Sequence, residues 1–292
     1  MRFKAEVSSL LTLTRVCDSL SKLTKRAILK LTPDVVHFIV SSGEEGGVQV
    51  WAQFERDTLF EHYRVESNAN DTIWLEFLVS SFQSAFKSTS GATQVFIRLA
   101  KKDKQPIISL QIKNASSRGS AYDIVQDIPV KVIRPAEAES MKEPLCPEPD
   151  VHIILPPLTA LLHTTNQMGK IASTIRISAN KSGHLSLRAE SDQANVQTDW
   201  RDLQIPDVGA SDTQTAPDGT DAQAESQVDK MAFDSVALDQ KSFVKFLSSH
   251  VIANTTIASI CKNFACICYV YIGAGPAGGG VLTYFIPGVN RE

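Results

Sequence analysis

The glycine run Gly273-Ala274-Gly275-Pro276-Ala277-Gly278 has the G-x-G-x-x-G spacing that lets a backbone approach a pyrophosphate. That chemistry also needs a helix whose N-terminal amides meet the phosphate. The next residues are instead Gly279-Gly280-Val281-Leu282-Thr283-Tyr284-Phe285-Ile286-Pro287, a strand pattern, so the run reads as a hairpin loop. Ser19/Lys22, Ser84/Lys87 and Ser242/Lys245 have the S-x-x-K spacing of an acylating serine, without its companion motifs. His37, His62, His152, His163, His184 and His250 fall at no metal-ligand spacing. Cys266 and Cys268 lie two apart on one strand face, and no second Cys or His pair completes four ligands. With Cys17, Cys146 and Cys261 they make an odd set without a secretory context, so buried, reduced thiols are expected. There is no P-loop, nucleophile elbow or H-E-x-x-H. No enzyme, cofactor or metal is expected.

The remaining chemistry is cationic. Arg15, Lys22, Lys25, Lys87, Lys170, Lys241 and Lys245 fall on or beside four amphipathic helices, away from the apolar stripes. The first stripe is Leu10, Leu13, Val16, Cys17, Leu20 and Leu23, and the third is Leu158, Leu161, Leu162 and Met168. Phe82/Ala85/Phe86 and Phe243/Phe246/Leu247 mark the shorter second and fourth, with Asp239 at an N-cap position. Lysines and arginines at helix ends also suit the macrodipole. Their recurrence on four equivalent helices points instead to a polyanion-facing surface.

Strands bracket each helix. Phe3–Val7 and Ala27–Leu31 flank the first, and Val151–Leu155 and Thr174–Ser178 the third, while Trp74–Phe77 and Ser235–Leu238 lead into the second and fourth. The order is A, B, A, B, a duplicated scaffold. Further strands are expected at Val35–Val40, Val48–Phe54, Val95–Leu99 and Ile107–Ile112, joined by short turns. At 292 residues the chain suits two domains, here 1–133 and 151–292. Between them, 134–150 carries four prolines and many charges, an extended connector. A polar, acidic stretch, 203–229, reads as a mobile insertion.

Net charge is -3, with 43% hydrophobic and 21% charged residues, ordinary for a soluble globular protein. The stretch 203–229 holds six acids and no Lys or Arg, so the remainder has 29 bases against 26 acids. The body is therefore mildly basic. The first twenty residues lack the continuous apolar centre of a signal peptide, and the apolar run Phe264–Ala274 is too short to span a bilayer, so no membrane partner is expected.

Four strand-helix-strand units in two similar domains with a long connector resemble the DNA sliding clamps of the PCNA type. The segments Met1-Arg2-Phe3-Lys4-Ala5, Gly47-Val48-Gln49-Val50-Trp51, Asp127-Ile128-Pro129-Val130-Lys131-Val132-Ile133, Pro147-Glu148-Pro149-Asp150-Val151 and Tyr284-Phe285-Ile286-Pro287 resemble the Hus subunits of the heterotrimeric DNA-damage checkpoint clamp. The resemblance implies an α+β DNA-clamp fold with sheets outside and helices on one face. It implies a non-catalytic subunit of a ring that encircles DNA at damage sites, in checkpoint signalling and repair, located in the nucleus. The implied partners are two other clamp subunits of the Rad type, a clamp loader, and duplex DNA. The seven cations would face that DNA. Joints between chains are expected at sheet edges, one in Thr93–Ile112 and the other near Ser186–Trp200 or in the last hairpin. A shallow apolar groove for partner peptides is expected along the connector, lined by Ile133, Pro135, Leu145, Phe285 and Pro287. The competing reading is a peptide-binding scaffold that does not encircle DNA.

Overall fold

The computed structural model describes residues 1–41, 47–115, 121–139, 141–206, 231–273 and 279–289. Most of the acidic stretch, from 207 onward, and the loop 274–278 lie outside the described residues. The chain divides into two compact units, one built from Met1–Gly43, Gln49–Glu143 and Tyr271–Leu282, the other from Glu44–Val48, Pro144–Val270 and Thr283–Glu292.

The first unit runs β1 (Arg2–Val7), α1 (Leu10–Ser21), β2 (Arg26–Leu31), β3 (Val35–Val40), β4 (Gln49–Glu55), α2 (Arg56–Leu59), β5 (Phe60–Glu66), β6 (Ile73–Leu78), α3 (Val79–Lys87), β7 (Gln94–Lys102), β8 (Gln105–Ala115), β9 (Ala121–Val132) and α4 (Pro135–Ala138). Its strands order as β4-β3-β2-β6-β9-β8-β7-β1-β5, with antiparallel ladders between neighbours. Alternation sets the two faces. Ala27, Leu29, Leu31, Val36, Phe38, Val50, Phe54, Ile73, Leu75 and Phe77 are buried on one side, where α1 and α3 pack together. Aromatic rings knit that layer: Phe77 and Phe82 centroids are 4.2 Å apart, Phe38 and Phe54 6.1 Å, and Phe82 and Phe86 5.8 Å. Each such side chain contributes about 1.5–3 kcal/mol on burial, so a one-residue slip of any strand would expose several at once.

The opposite face has its own smaller apolar cluster. Ile28, Ile39, Ile133 and Ala138 are buried together, with Trp51, Trp74 and Met141 half-buried against them. Pro135 at the first turn of α4 starts the short helix that brings Ala138 over this face. His37 sits half-buried on β3, and burial lowers its pKa to about 4, helped by the Lys30 charge.

The second unit repeats the plan with β10 (Val151–Ile154), α5 (Leu158–Met168), β11 (Thr174–Ala179), β12 (Leu185–Glu190), β13 (Asn195–Trp200), β14 (Asp234–Asp239), α6 (Gln240–Leu247), a 3₁₀ turn (Ser248–Val251), β15 (Thr255–Cys261), β16 (Ala265–Ile272) and β17 (Gly280–Pro287). Strands order as β13-β12-β11-β14 and β10-β15-β16-β17. Helices α5 and α6 pack side by side, and the Phe246 ring meets Tyr284 edge-on at 5.2 Å. Asp239 caps α6 as its position predicts, accepting the Ser242 N–H at 2.8 Å.

No helix among the described residues is long and apolar enough to cross a membrane. Cys17, Cys261, Cys266 and Cys268 are buried as expected, whereas Cys146 is half-exposed. Gly273, the first residue of the glycine run, has φ of 89° after β16, and the run's remainder lies outside the described residues.

Candidate nucleic-acid interface

Helix α1 buries Leu13, Val16, Cys17 and Leu20, which turns Leu11, Arg15 and Lys22 to solvent with Asp18 half-exposed among them. Lys25 comes next, exposed, in the turn before β2. Helix α3 buries Val79, Phe82, Ala85 and Phe86 and presents Ser80, Ser84 and Lys87. In the second unit α5 buries Leu158, Leu161, Thr165 and Met168 and presents His163, Asn166 and Gln167, with Lys170 just beyond. Helix α6 buries Phe243, Phe246 and Leu247 and presents Lys241 and Lys245. All seven predicted cations are thus exposed, four on the first unit and three on the second.

Two of them are held. Lys87 Nζ lies 3.6 Å from the Asp18 carboxylate, which also accepts from Gln83 Nε2 at 2.6 Å, so an acid on α1 restrains a base on α3. Lys170 Nζ donates to Gln167 Oε1 at 2.8 Å. Arg15, Lys22, Lys25, Lys241 and Lys245 make no ion pair among the described residues. Counting charges along the sequence misses the polar side chains Ser80, Ser84, His163, Asn166 and Gln167. Their signal is their place on the helical face opposite each apolar stripe. Each of these faces offers long cations or polar side chains and no exposed aromatic ring among the described residues, which suits phosphate contact and not base readout.

One of the two expected sheet edges falls elsewhere. Thr93–Ile112 covers β7 and most of β8, but β7 is paired by β1 and β8, and β8 by β7 and β9, so neither is an edge. An open stretch lies instead on β9. That strand pairs with β8 from Ala121 to Pro129, and on its other side, among the described residues, it meets β6 only from Val130 to Val132. Its unpaired stretch carries exposed Tyr122 and Val125. In the second unit β13 is a terminal strand, inside the expected Ser186–Trp200 region, with Val196 exposed.

Of the groove residues, Ile133 and Pro135 line a hollow of about 580 Å³ together with Lys30, Trp74, Thr72 and Ala138. Lys30 Nζ lies over the Trp74 ring, 4.9 Å from its centroid. Leu145, Phe285 and Pro287 are not among the lining residues. Leu145 is 96% exposed and Phe285 8%, so the first stands clear of the body and the second is packed within β17. Among the described residues no group of His, Cys, Asp or Glu could hold a metal ion.

The fold is that of the PCNA-type sliding clamps. The chain is similar to Proliferating Cellular Nuclear Antigen from Entamoeba histolytica, with a TM-score of 0.72 at 13% identity over 99% of both chains. It is also similar to PCNA from Thermococcus kodakaraensis, with a TM-score of 0.68 at 16% identity over 98% of this chain and 99% of that one. The family model described as Hus1-like protein matches residues 1–290. Checkpoint protein hus1 of Schizosaccharomyces pombe is 35% identical over 290 residues, 98% of each chain, and Checkpoint protein HUS1 of Homo sapiens is 28% identical over 270 residues, 90% of this chain and 92% of that one. The chain therefore belongs to the Hus1-like family, and it is a non-catalytic clamp subunit of the checkpoint type.

Proposed function

We propose that this chain forms one part of a heterotrimeric ring closed around duplex DNA at damage sites, with α1, α3, α5 and α6 facing the phosphates. The observation that carries the reading is that all seven cations stand exposed on faces whose opposite sides are buried. A ring holds DNA by closure, so its lining needs only modest, mobile phosphate contacts. Two further clamp subunits of the Rad type complete the ring through the open edges β9 and β13, a clamp loader places it on DNA, and it acts in the nucleus. The hollow beside Trp74 serves partner peptides on the outer face.

Reversing Lys22, Lys241 and Lys245 to Glu in the reconstituted trimer tests the DNA-facing assignment. Assembly is expected to persist, while affinity for loaded DNA falls and the slope of log affinity against log salt flattens by about 3. Unchanged binding with intact assembly would reject it.

A further inference from the structure

A thiol at a strand end touches the connector at the residue that follows a connector cysteine. Cys261 closes β15, and its Sγ donates to the carbonyl oxygen of Pro147 at 3.4 Å, so Cys146 is bonded directly to the residue that Cys261 touches. The connector is tied down just beyond this point: the Asp150 N–H donates to the Ile260 carbonyl at 2.9 Å, and the Lys262 N–H to the Asp150 carboxylate at 2.7 Å. Residues 141–149 form neither helix nor strand, Pro144, Pro147 and Pro149 have no N–H to give, and Leu145 projects into solvent. Cys146 is half-exposed, so a small oxidant reaches it first, whereas the Cys261 thiol is pushed up to about 11 by burial and by the neighbouring Cys146, Cys266 and Asp150.

We propose that Cys146 and Cys261 are a reversible peroxide-oxidation site whose disulfide fastens the connector to the end of β15. The Cys146 sulfur attacks hydrogen peroxide, the O–O bond breaks, and Cys146 sulfenic acid and one water form. The Cys261 sulfur then attacks the sulfenic sulfur, the S–O bond breaks, and the oxygen leaves as a second water with the thiol proton. Two thiols lose two electrons and one peroxide gains them. Cys266 and Cys268 cannot substitute: their sulfurs are 3.6 Å apart but lie at i and i+2 of one buried strand. Their backbone spacing of about 6.6 Å leaves the β-carbons too far apart for a disulfide's span of about 4 Å.

The test treats the full-length chain with hydrogen peroxide, blocks remaining thiols, and maps peptides without reduction. A linked pair containing Cys146 and Cys261, released by dithiothreitol, is expected. Cys146 oxidised without that link overturns the proposal. In Cys261→Ala the sulfenic acid has no resolving thiol, so dimedone labelling of Cys146 should rise about tenfold over the unaltered chain. Equal labelling also overturns it. The wild-type map does not depend on that variant folding, and Cys146→Ser, placed at a half-exposed position, should abolish the link.

Discussion

Among the described residues of the first unit, the margin at β5 and the open stretch of β9 are built in opposite ways. At one end β5 exposes Glu61, His62 and Arg64, pairs Arg64 with Glu66, and breaks its ladder with β1 through a register shift beside His62, whose φ is 49°. Charge and a bulge are how sheets blunt an edge against stray pairing. The open stretch of β9, in contrast, continues a regular ladder with β8 and turns Tyr122 and Val125 to solvent. One margin is protected, and the other keeps unpaired backbone and apolar area together, as a joint requires.

The largest effect should come from charging the second margin. Tyr122→Asp with Val125→Asp puts two carboxylates where a neighbouring strand would cover them, and an uncompensated charge in such a joint costs about 2–5 kcal/mol. Co-expressed with its neighbouring clamp subunits, the variant should drop out of the complex in sedimentation, while its own thermal unfolding stays near that of the parent. The matching change on β5, His62→Asp, should leave assembly intact. Equal loss from both would erase the contrast between the margins.

A smaller effect is expected from removing the protection. Replacing Glu61 and Arg64 with Val strips charge from β5 while keeping β-propensity, and should produce concentration-dependent self-association of the chain by light scattering. A variant that stays monodisperse would assign the protection to the irregular ladder at His62 instead of the charges.

The repeated units are readable from sequence because helix and strand periods are local. The stripe Leu13, Val16, Cys17 and Leu20 and the cap Asp239 need only their own neighbours to be recognised. The edge is not readable in this way. The strands β7 and β8 look half-buried from their alternation, and nothing within them says that β1 and β9 flank them. Likewise Phe285 reads as a groove residue by its place near the end of β17 and is packed, because burial depends on what lies over a strand. The cations are readable as exposed, since helical period alone sorts them from the stripes. Their partners are not, and Asp18 and Lys87, far apart in sequence, meet only through the packing of α1 on α3.

That pairing sets the smallest prediction and carries the contrast of a guarded and an open site onto the helical face. Asp18 guards Lys87, whereas Arg15 and Lys22 on the same face have no acid paired with them among the described residues. In Asp18→Asn the amide oxygen still accepts from Gln83, so the α1–α3 contact keeps its hydrogen bond while Lys87 loses its ion pair. An exposed pair of this kind is worth about 0.2–1 kcal/mol, so the assembled clamp should bind DNA about two- to threefold more tightly at low salt, with the gain fading as salt rises. Lys87→Glu should move affinity the other way by a larger factor. If Asp18→Asn leaves affinity unchanged while Lys87→Glu weakens it, the carboxylate places Lys87 without competing with phosphate, and the guarded and open cations are equivalent toward DNA.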